Sequence, residues 1–250
     1  MFNNNNNNPW GNNRGGSGNQ NQVGNGGYPA QYGQVSMAER SSLVQKVMTF
    51  TFFSIIAAVA GVWFGATTLN LQYNFSGGTF LLFFILEIGL MIGAMAAREV
   101  QGINFVLLYA FTFVTGLVIS PTIGLLFNAG YSGIVYQALF ITAGLTLALA
   151  SYAYTTKRDF SGFAPYLFIA VIALVIVGIL NIFLHSALLY TLYLYAGVVI
   201  FSFYLIFDVQ RVRKQRDTVG NAIALTISIY LDILNLFLFI LQILMQGERR

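Results

Sequence analysis

The stretch AIALTISIYLDILNLFLFILQILM, from Ala222 to Met245, decides the fold class of this chain. It is long enough to cross a bilayer as a helix, because about 20 apolar residues span the hydrocarbon core. Asp232 lies near its middle, where an ionisable group costs at least roughly 2.5–3.5 kcal/mol and so needs a partner, a water-filled cavity or a function. At about 100° per residue, an arc of about 80° collects most polar side chains of the segment. They are Asn221, Ser228, Asp232, Asn235, Gln242 and Gln246. This polar stripe predicts a helix that is buried in a bundle and faces polar contents.

The composition of the whole chain indicates a polytopic membrane protein. Of its 250 residues, 57% are hydrophobic and 8% are charged, whereas soluble domains carry roughly 25% charged residues. The chain has no cysteine, which excludes disulfides, thiolate metal sites and a cysteine nucleophile. The net charge of +4 comes from cations beside the apolar runs, so we expect the lipid bilayer as a partner and no nucleic acid.

The chain divides into a polar tail and a membrane domain. Residues 1–36 are rich in Asn, Gly and Gln and lack an apolar face, so we predict a disordered cytoplasmic tail. For residues 37–250 we predict an all-α membrane protein, a bundle of seven transmembrane helices. The predicted spans are Val47–Leu69, Thr79–Ala97, Ile103–Phe127, Ile134–Thr155, Ala164–Leu184, Leu188–Phe207 and Ala222–Met245.

The distribution of Lys and Arg predicts the orientation. With a cytoplasmic N-terminus, ten cations fall on the cytoplasmic side and the opposite loops hold none. The ten are Arg14, Arg40, Lys46, Arg98, Lys157, Arg158, Arg211, Arg213, Lys214 and Arg216. Arg249 and Arg250 break this pattern, because seven full crossings put the C-terminus outside. A re-entrant last segment would return them to the inside, although its length favours a full crossing.

Two features of the spans concern architecture. Pro121, in Ser120–Pro121–Thr122, is expected to kink the third span and to leave a backbone carbonyl without its helix donor. Gly89, Gly93 and Ala97 form a ridge of small residues on the second span, which we expect to permit close packing with a neighbouring helix.

Three further charged residues join Asp232 as candidates for a functional site. Glu87 and Arg98 are eleven residues apart on the second span, so they share a face at roughly 16 Å along the helix axis. Taken alone, Glu87 fits a structural hydrogen-bonded group and Arg98 a cytoplasmic anchor. Asp208 closes the sixth span, where the helix dipole disfavours a carboxylate, and Arg211 one turn on is its simplest partner.

These segments resemble the Bax inhibitor family, the transmembrane Bax-inhibitor-motif proteins, in its bacterial branch. The resemblance rests on Phe207-Asp208-Val209-Gln210, on Tyr230-Leu231-Asp232-Ile233-Leu234-Asn235-Leu236-Phe237 and on the spacing of Glu87 and Arg98. It covers the chain from Val47 onward. It implies a multi-pass protein of the cell inner (plasma) membrane, whose last helix is central and enclosed by the other six.

The resemblance also implies an activity, a pH-sensitive calcium leak. Asp208 and Asp232 would then meet as a pH-sensing and gating pair near the cytoplasmic mouth, with Arg98 as the cation that latches the gate. Two close carboxylates in low dielectric cannot both ionise cheaply, so the pair would share a proton or attract a cation. Glu87, Ser228 and Asn235 would line the pore.

Calcium is expected here as the transported ion, and no resident cofactor is expected. Ca²⁺ prefers six to eight hard oxygen ligands, so Asp208 and Asp232 with water and carbonyls would form a weak, transient metal site. Weak binding suits conduction, which requires release of the ion.

Enzymatic classes fit the sequence less well, so we predict that the protein is not an enzyme. Asp208 and Asp232 lack the Gly-x-Gly-Asp motif of intramembrane aspartyl proteases, and the single histidine, His185, lies in an outer loop. Retinal chemistry needs a buried lysine, and all three lysines lie outside the predicted spans. The alternative function is a non-conducting regulator that binds another membrane protein, such as a membrane protease. The polar stripe favours the channel, because a bundle that serves only for docking does not require one, but a vestigial or structural polar core would also account for it.

Overall fold

The computed structural model describes residues 37–74 and 76–248, which form helices and no strand. In chain order the helices are α1 (Met37–Thr67), α2 (Leu71–Asn74), α3 (Gly77–Ala96), α4 (Ile103–Asn128), α5 (Ser132–Thr155), α6 (Ala164–Leu184), α7 (Ala187–Val212) and α8 (Val219–Glu248). A 3₁₀ turn, Ser161–Phe163, precedes α6. Seven of these helices, all except α2, are long and apolar enough to cross a membrane, which confirms the predicted fold class. The predicted tail at residues 1–36, and with it Arg14, lies outside the described residues, as do Arg249 and Arg250.

The predicted boundaries agree with α3 to α6 within two residues and with α8 within three, and they differ more at α1 and α7. The first helix begins at Met37, ten residues before the predicted span, and α7 continues past Phe207 to Val212. Hydropathy locates an apolar run, whereas the helix continues into polar residues at the membrane surface. The prediction that Asp208 closes its helix is therefore wrong, since Asp208 lies one turn inside α7.

Helix α8 is the central span. In its apolar segment 61% of the residues are buried, against 6% in α3 and 11% in the segment that contains α6. It packs against α1, α3, α4, α5 and α7, and α6 packs against α7 instead. The expectation that six helices enclose the last one is therefore corrected to five. The described helix is continuous over 30 residues, about 45 Å, which is enough for a full crossing.

Close packing occurs between α1 and α4 and not at the predicted ridge on α3. A Cβ atom at Gly61 or at Gly116 would collide with the backbone of the partner helix, so only glycine permits this approach. At Gly89 a Cβ would meet nothing within 4 Å, and at Gly93 it would meet only a leucine side chain at 3.7 Å. The prediction for Gly89 and Gly93 is wrong because α3 is a peripheral helix with most of its surface exposed.

Helix α4 continues through Pro121 from Ile103 to Asn128. Proline has no N–H, so the Leu117 carbonyl loses the donor that a regular helix would supply. Ser120 Oγ donates to this carbonyl oxygen at 2.8 Å, and both residues are buried. The backbone group freed by the proline is thus satisfied within the same helix turn.

Three loops that carry cations lie at one end of the bundle, which we call the cationic face. These loops are residues 97–102, 156–160 and 213–218. Lys46 of α1 donates to Asp217 at 2.8 Å, and the Glu99 carboxylate lies against Gly220 at the start of α8. The Lys46 contact lowers the pKa of Asp217, with a smaller contribution from a neighbouring serine. The cationic face is therefore held together by contacts between separate helices.

Candidate functional site

Asp208 of α7 and Asp232 of α8 meet inside the bundle. Their carboxyl groups lie within hydrogen-bonding reach of each other, and each residue is only 4% exposed. An ionised carboxylate can only accept, so a hydrogen bond between two carboxyls requires a proton on one of them. We call this contact the aspartate pair, and a direct hydrogen bond within it would need one proton.

A cation from α7 contacts the aspartate pair. Arg211 Nη1 donates to Asp208 Oδ1 at 2.7 Å, one helical turn away. The Arg211 side chain is 37% exposed while that of Asp208 is 5% exposed, so the guanidinium reaches inward from the cationic face. The simplest partner named from the sequence, Arg211, is the one that the structure shows.

One oxygen of the aspartate pair has no hydrogen-bond partner among the described residues. Asp232 Oδ2 is buried and accepts no hydrogen bond from the described residues. An unpaired polar atom at such a position is costly, which makes it a site for a proton, a water molecule or a cation. Tyr204, one turn before Asp208 on α7, lies within electrostatic range of both carboxyls. Tyr204 was not among the residues predicted from the sequence, although its spacing from Asp208 by four residues was visible.

The polar stripe of α8 faces α7 along much of its length. Tyr190 Oη donates to Gln242 Oε1 at 2.9 Å, and Gln246 Nε2 donates to Thr191 Oγ1 at 2.8 Å. Asn235 Nδ2 donates to the Leu231 carbonyl of its own helix at 2.8 Å. The stripe predicted polar surroundings for this side of α8. In this conformation, side chains of α7 supply most of them.

Arg98 and the aspartate pair are not in contact in this structure. Arg98 lies in the turn after α3 with its side chain 43% exposed, and its Nε is 3.7 Å from Glu99 Oε1. Among the ion pairs of the described residues, Asp208 is joined by Arg211 and not by Arg98. A role for Arg98 as a latch stays a prediction, and it requires the end of α3 to approach α7.

Glu87 belongs to a second polar cluster on the other side of α8. Thr115 Oγ1 of α4 donates to Glu87 Oε1 at 3.0 Å, and Glu87 is half-buried. Tyr230 of α8 is 2% exposed and lies within electrostatic range of Glu87. Because Tyr230 and Asp232 are two residues apart, they point in directions about 200° apart around the helix. Glu87 and the aspartate pair therefore do not form one continuous acidic site.

Gln210 is a structural residue to which the sequence analysis gave no role. It is 6% exposed, and it binds the α5–α6 loop with both ends of its amide. The Phe160 N–H donates to Gln210 Oε1 at 2.9 Å, and Gln210 Nε2 donates to the Arg158 carbonyl at 2.8 Å. The sequence offered one indication of this role. Gln210 lies in the segment Phe207–Gln210 that carries the resemblance, and a buried glutamine needs hydrogen-bond partners.

The capacity of the site for a metal ion is limited. Among the described residues, no group of three or more His, Asp or Glu side chains gathers in one place. The aspartate pair offers at most four carboxylate oxygens when ionised, whereas Ca²⁺ takes six to eight. Any Ca²⁺ at the pair would depend on water or backbone carbonyls for the rest of its ligands.

Seven apolar spans around a buried carboxyl pair define a multi-pass membrane protein with an ionisable centre between its last two helices. Residues 40–249 match the family described as inhibitor of apoptosis-promoting Bax1. The chain belongs to this Bax inhibitor family, which confirms the resemblance found in the sequence.

Similar proteins come from bacteria and from mouse. A protein of Helicobacter pylori (strain ATCC 700392 / 26695) is 32% identical over 218 residues, covering 85% of this chain and 91% of the relative. Inner membrane protein YbhL of Escherichia coli K12 is 29% identical over 201 residues, covering 75% and 83%. Protein lifeguard 4 of Mus musculus is 30% identical over 164 residues, covering 66% and 67%. These similarities extend over most of the membrane domain.

Proposed function

We propose that this protein is a pH-sensitive leak channel for calcium, gated by the protonation state of Asp208 and Asp232. The observation that carries the proposal is the contact between two buried carboxyls, because two carboxylates this close in a low dielectric cannot both ionise cheaply. Membership of the Bax inhibitor family supports it, because the resemblance implies this activity. We place the protein in the cell inner (plasma) membrane with the N-terminus and the cationic face in the cytoplasm, following the positive-inside rule.

The singly protonated pair would correspond to the closed gate. Its one negative charge holds Arg211, and the shared proton holds α7 against α8. A second proton would remove the charge that binds the guanidinium, because a neutral carboxyl forms a weaker bond with a cation than an ionised one. We therefore expect acidification to loosen the end of α7 and to raise the flux. In another conformation, Arg98 would bind the ionised pair and latch the gate.

The proposed pathway runs beside α8. Ser228 and Asn235 lie one turn on either side of Asp232 on the polar stripe, and Glu87 would add a carboxylate at a separate point of the bundle. The position of Asp208 one turn before the end of α7 puts the gate near the cationic face. A transient Ca²⁺ site at the pair would bind weakly enough to release the ion.

Calcium flux into liposomes tests this proposal. The full chain is reconstituted with a calcium-sensitive dye inside the vesicles, and the flux is measured over a pH series. We expect flux to rise on acidification in the wild type and its pH dependence to change in D208N and D232N, since each variant leaves one titratable carboxyl where the wild type has two. E248Q, which changes an exposed carboxyl at the other end of α8, is the control and should respond as the wild type does. An unaltered pH profile in both asparagine variants would refute the gating role.

The second candidate function is a non-conducting regulator that binds a membrane protein, for example a membrane protease. The contacts of Tyr190 with Gln242 and of Thr191 with Gln246 favour it, because they let the polar stripe serve helix adhesion alone. Absence of flux at every pH, together with co-purification of a membrane protein partner, would support this candidate over the channel.

A further inference from the structure

An open pocket of about 460 Å³ lies on the cationic face, between the α5–α6 loop and the end of α7. This volume is in the range of small-ligand sites, which is roughly 300–1,000 Å³. Four cations and one carboxylate line it, a net charge of +3 from these side chains. They are Lys157, Arg158, Asp159, Arg213 and Lys214. The electrostatic character of the pocket favours an anion.

The pocket is preformed by buried contacts. Gln210 lines it and fixes the loop through Arg158 and Phe160, as described above. Phe160 is 9% exposed and packs with Ala153 and Ile206, so the loop is anchored in the hydrophobic core. A loop that is already ordered loses little conformational entropy when a ligand binds.

Two of the four cations of the pocket have side chains that are already hydrogen-bonded to the protein, and the other two do not. Arg213 donates to the Tyr154 carbonyl at 2.7 Å, and Lys214 donates to Asp159 at 2.6 Å. The hydrogen bond from Lys214 holds the pKa of Asp159 well below its usual range, so that carboxylate is already neutralised by its partner. Among the described residues, Lys157 and Arg158 are exposed and take part in no ion pair. Two cations without a salt-bridge or hydrogen-bond partner for their side chains among the described residues thus remain for a ligand.

We propose that this pocket binds the phosphate group of an anionic phospholipid headgroup. The apolar spans of α5 and α7 end at Thr155 and Val212, so the pocket lies where lipid headgroups meet the protein. A guanidinium donates two parallel hydrogen bonds to phosphate oxygens, and an ammonium adds a point charge. The net positive lining selects anionic lipids over zwitterionic ones. This site goes beyond the proposed channel, because lipid would bind whether or not the protein conducts.

Lipid titration of the purified full chain tests the site. Short-chain phosphatidylglycerol, short-chain phosphatidylcholine and inorganic phosphate are each titrated against the protein in detergent, with bound ligand counted by native mass spectrometry. The variant K157Q/R158Q is compared with R249Q/R250Q, which removes the same charge at the end of the chain. We expect K157Q/R158Q to weaken phosphatidylglycerol binding at least about tenfold, while the control stays within about twofold of the wild type.

Other outcomes would overturn the proposal. An equal loss in both double variants would mean general attraction by net charge, and no loss in K157Q/R158Q would exclude the pocket. Inorganic phosphate that binds more tightly than the lipid and displaces it would assign the site to a soluble phosphate compound instead. Both changed residues are exposed, so we expect the variant to fold. The single variants K157Q and R158Q provide the same comparison if its yield is low.

Discussion

The carboxyl groups of Asp208 and Asp232 contact each other at the interface of α7 and α8, and each residue is 4% exposed. This contact joins two spans that are consecutive in the chain and separated by a six-residue loop. Any change in its charge acts directly on the packing of α7 against the central helix. Glu87 does not lie at this interface, because it contacts Thr115 of α4 on another side of α8.

The two asparagine variants should differ in stability. In D232N the amide can still donate to Asp208, so we expect the free energy of unfolding at neutral pH to stay within about 1 kcal/mol of the wild type. In D208N the guanidinium of Arg211 loses its anionic partner, and we expect a loss of about 1–3 kcal/mol. Thermal unfolding in detergent measures both. Equal loss in the two variants would contradict the different roles expected of the two side chains, with Asp232 as the donor to Asp208 and Asp208 as the partner of Arg211.

Substitutions of Arg211 and of Arg98 should also differ in their effect on stability. We expect R211Q to destabilise the protein by about 1–3 kcal/mol, because it leaves the buried pair without its cation. R98Q should change stability by less than about 0.5 kcal/mol, since Arg98 is half-exposed and its contact with Glu99 is 3.7 Å. The two variants make the same substitution, so each controls for the other. A larger loss in R98Q would mean that the latch is already closed in the resting protein.

Acid should weaken the contact between Lys46 and Asp217. The hydrogen bond from Lys46 lowers the pKa of Asp217 in the folded state. The ion pair therefore contributes to the stability of the fold above the unfolded pKa of about 3.9, and this contribution is lost as the pH falls further. We expect D217N to cost about 0.5–1 kcal/mol at pH near 7, because the Lys46 side chain is 36% exposed and the pair is screened by solvent.

The double variant K46Q/D217N controls for this prediction. It should be no less stable than D217N alone, because the two side chains act as one pair. Unfolding of wild type and D217N is compared at neutral pH and near pH 3.5, and the difference should shrink in acid. If the difference in stability between wild type and D217N grew with acidification, the ion pair of Lys46 and Asp217 would not be its cause.

Gln210 should be required for the structure of the α5–α6 loop. Q210A leaves the Phe160 N–H and the Arg158 carbonyl without their partner, and we expect a loss of about 1–3 kcal/mol with faster proteolysis of the loop. Q215A is the matched control, because the Gln215 side chain makes no hydrogen bond with the described residues. It should change stability by less than about 0.5 kcal/mol. Equal proteolysis of both variants would show that the loop is held by other contacts.

The seven spans were predictable because each is an apolar run of about the length that a bilayer requires. The buried position of Asp232 followed from the helical spacing of the polar stripe, and its meeting with Asp208 followed from the family resemblance. The end of α7 was not predictable from hydropathy, because Asp208–Val212 continues the helix with polar residues.

The choice between Arg98 and Arg211 as the partner of Asp208 could not be made from the sequence. Both cations are near the same membrane face, and their distances depend on how far the end of α3 lies from α7. The side of α8 that Glu87 faces depends in the same way on helix packing. Gln210 was within reach of sequence reasoning as a polar residue in a quoted motif, but its partners are backbone groups, which carry no sequence signal.

Infrared difference titration of the protonated carboxyl band tests the shared proton most directly. It is measured in the reconstituted wild type over the same pH series as the calcium flux. The proposal predicts a band already present at neutral pH that grows on acidification over the interval in which the flux rises. The growth should be altered in D208N and in D232N, which each leave one carboxyl of the pair, and retained in E87Q, which removes the separate carboxyl on α3. A carboxyl band that stays constant over the pH interval in which the flux changes would contradict gating by this pair. A band that grows in D208N and in D232N as it does in the wild type would contradict it as well.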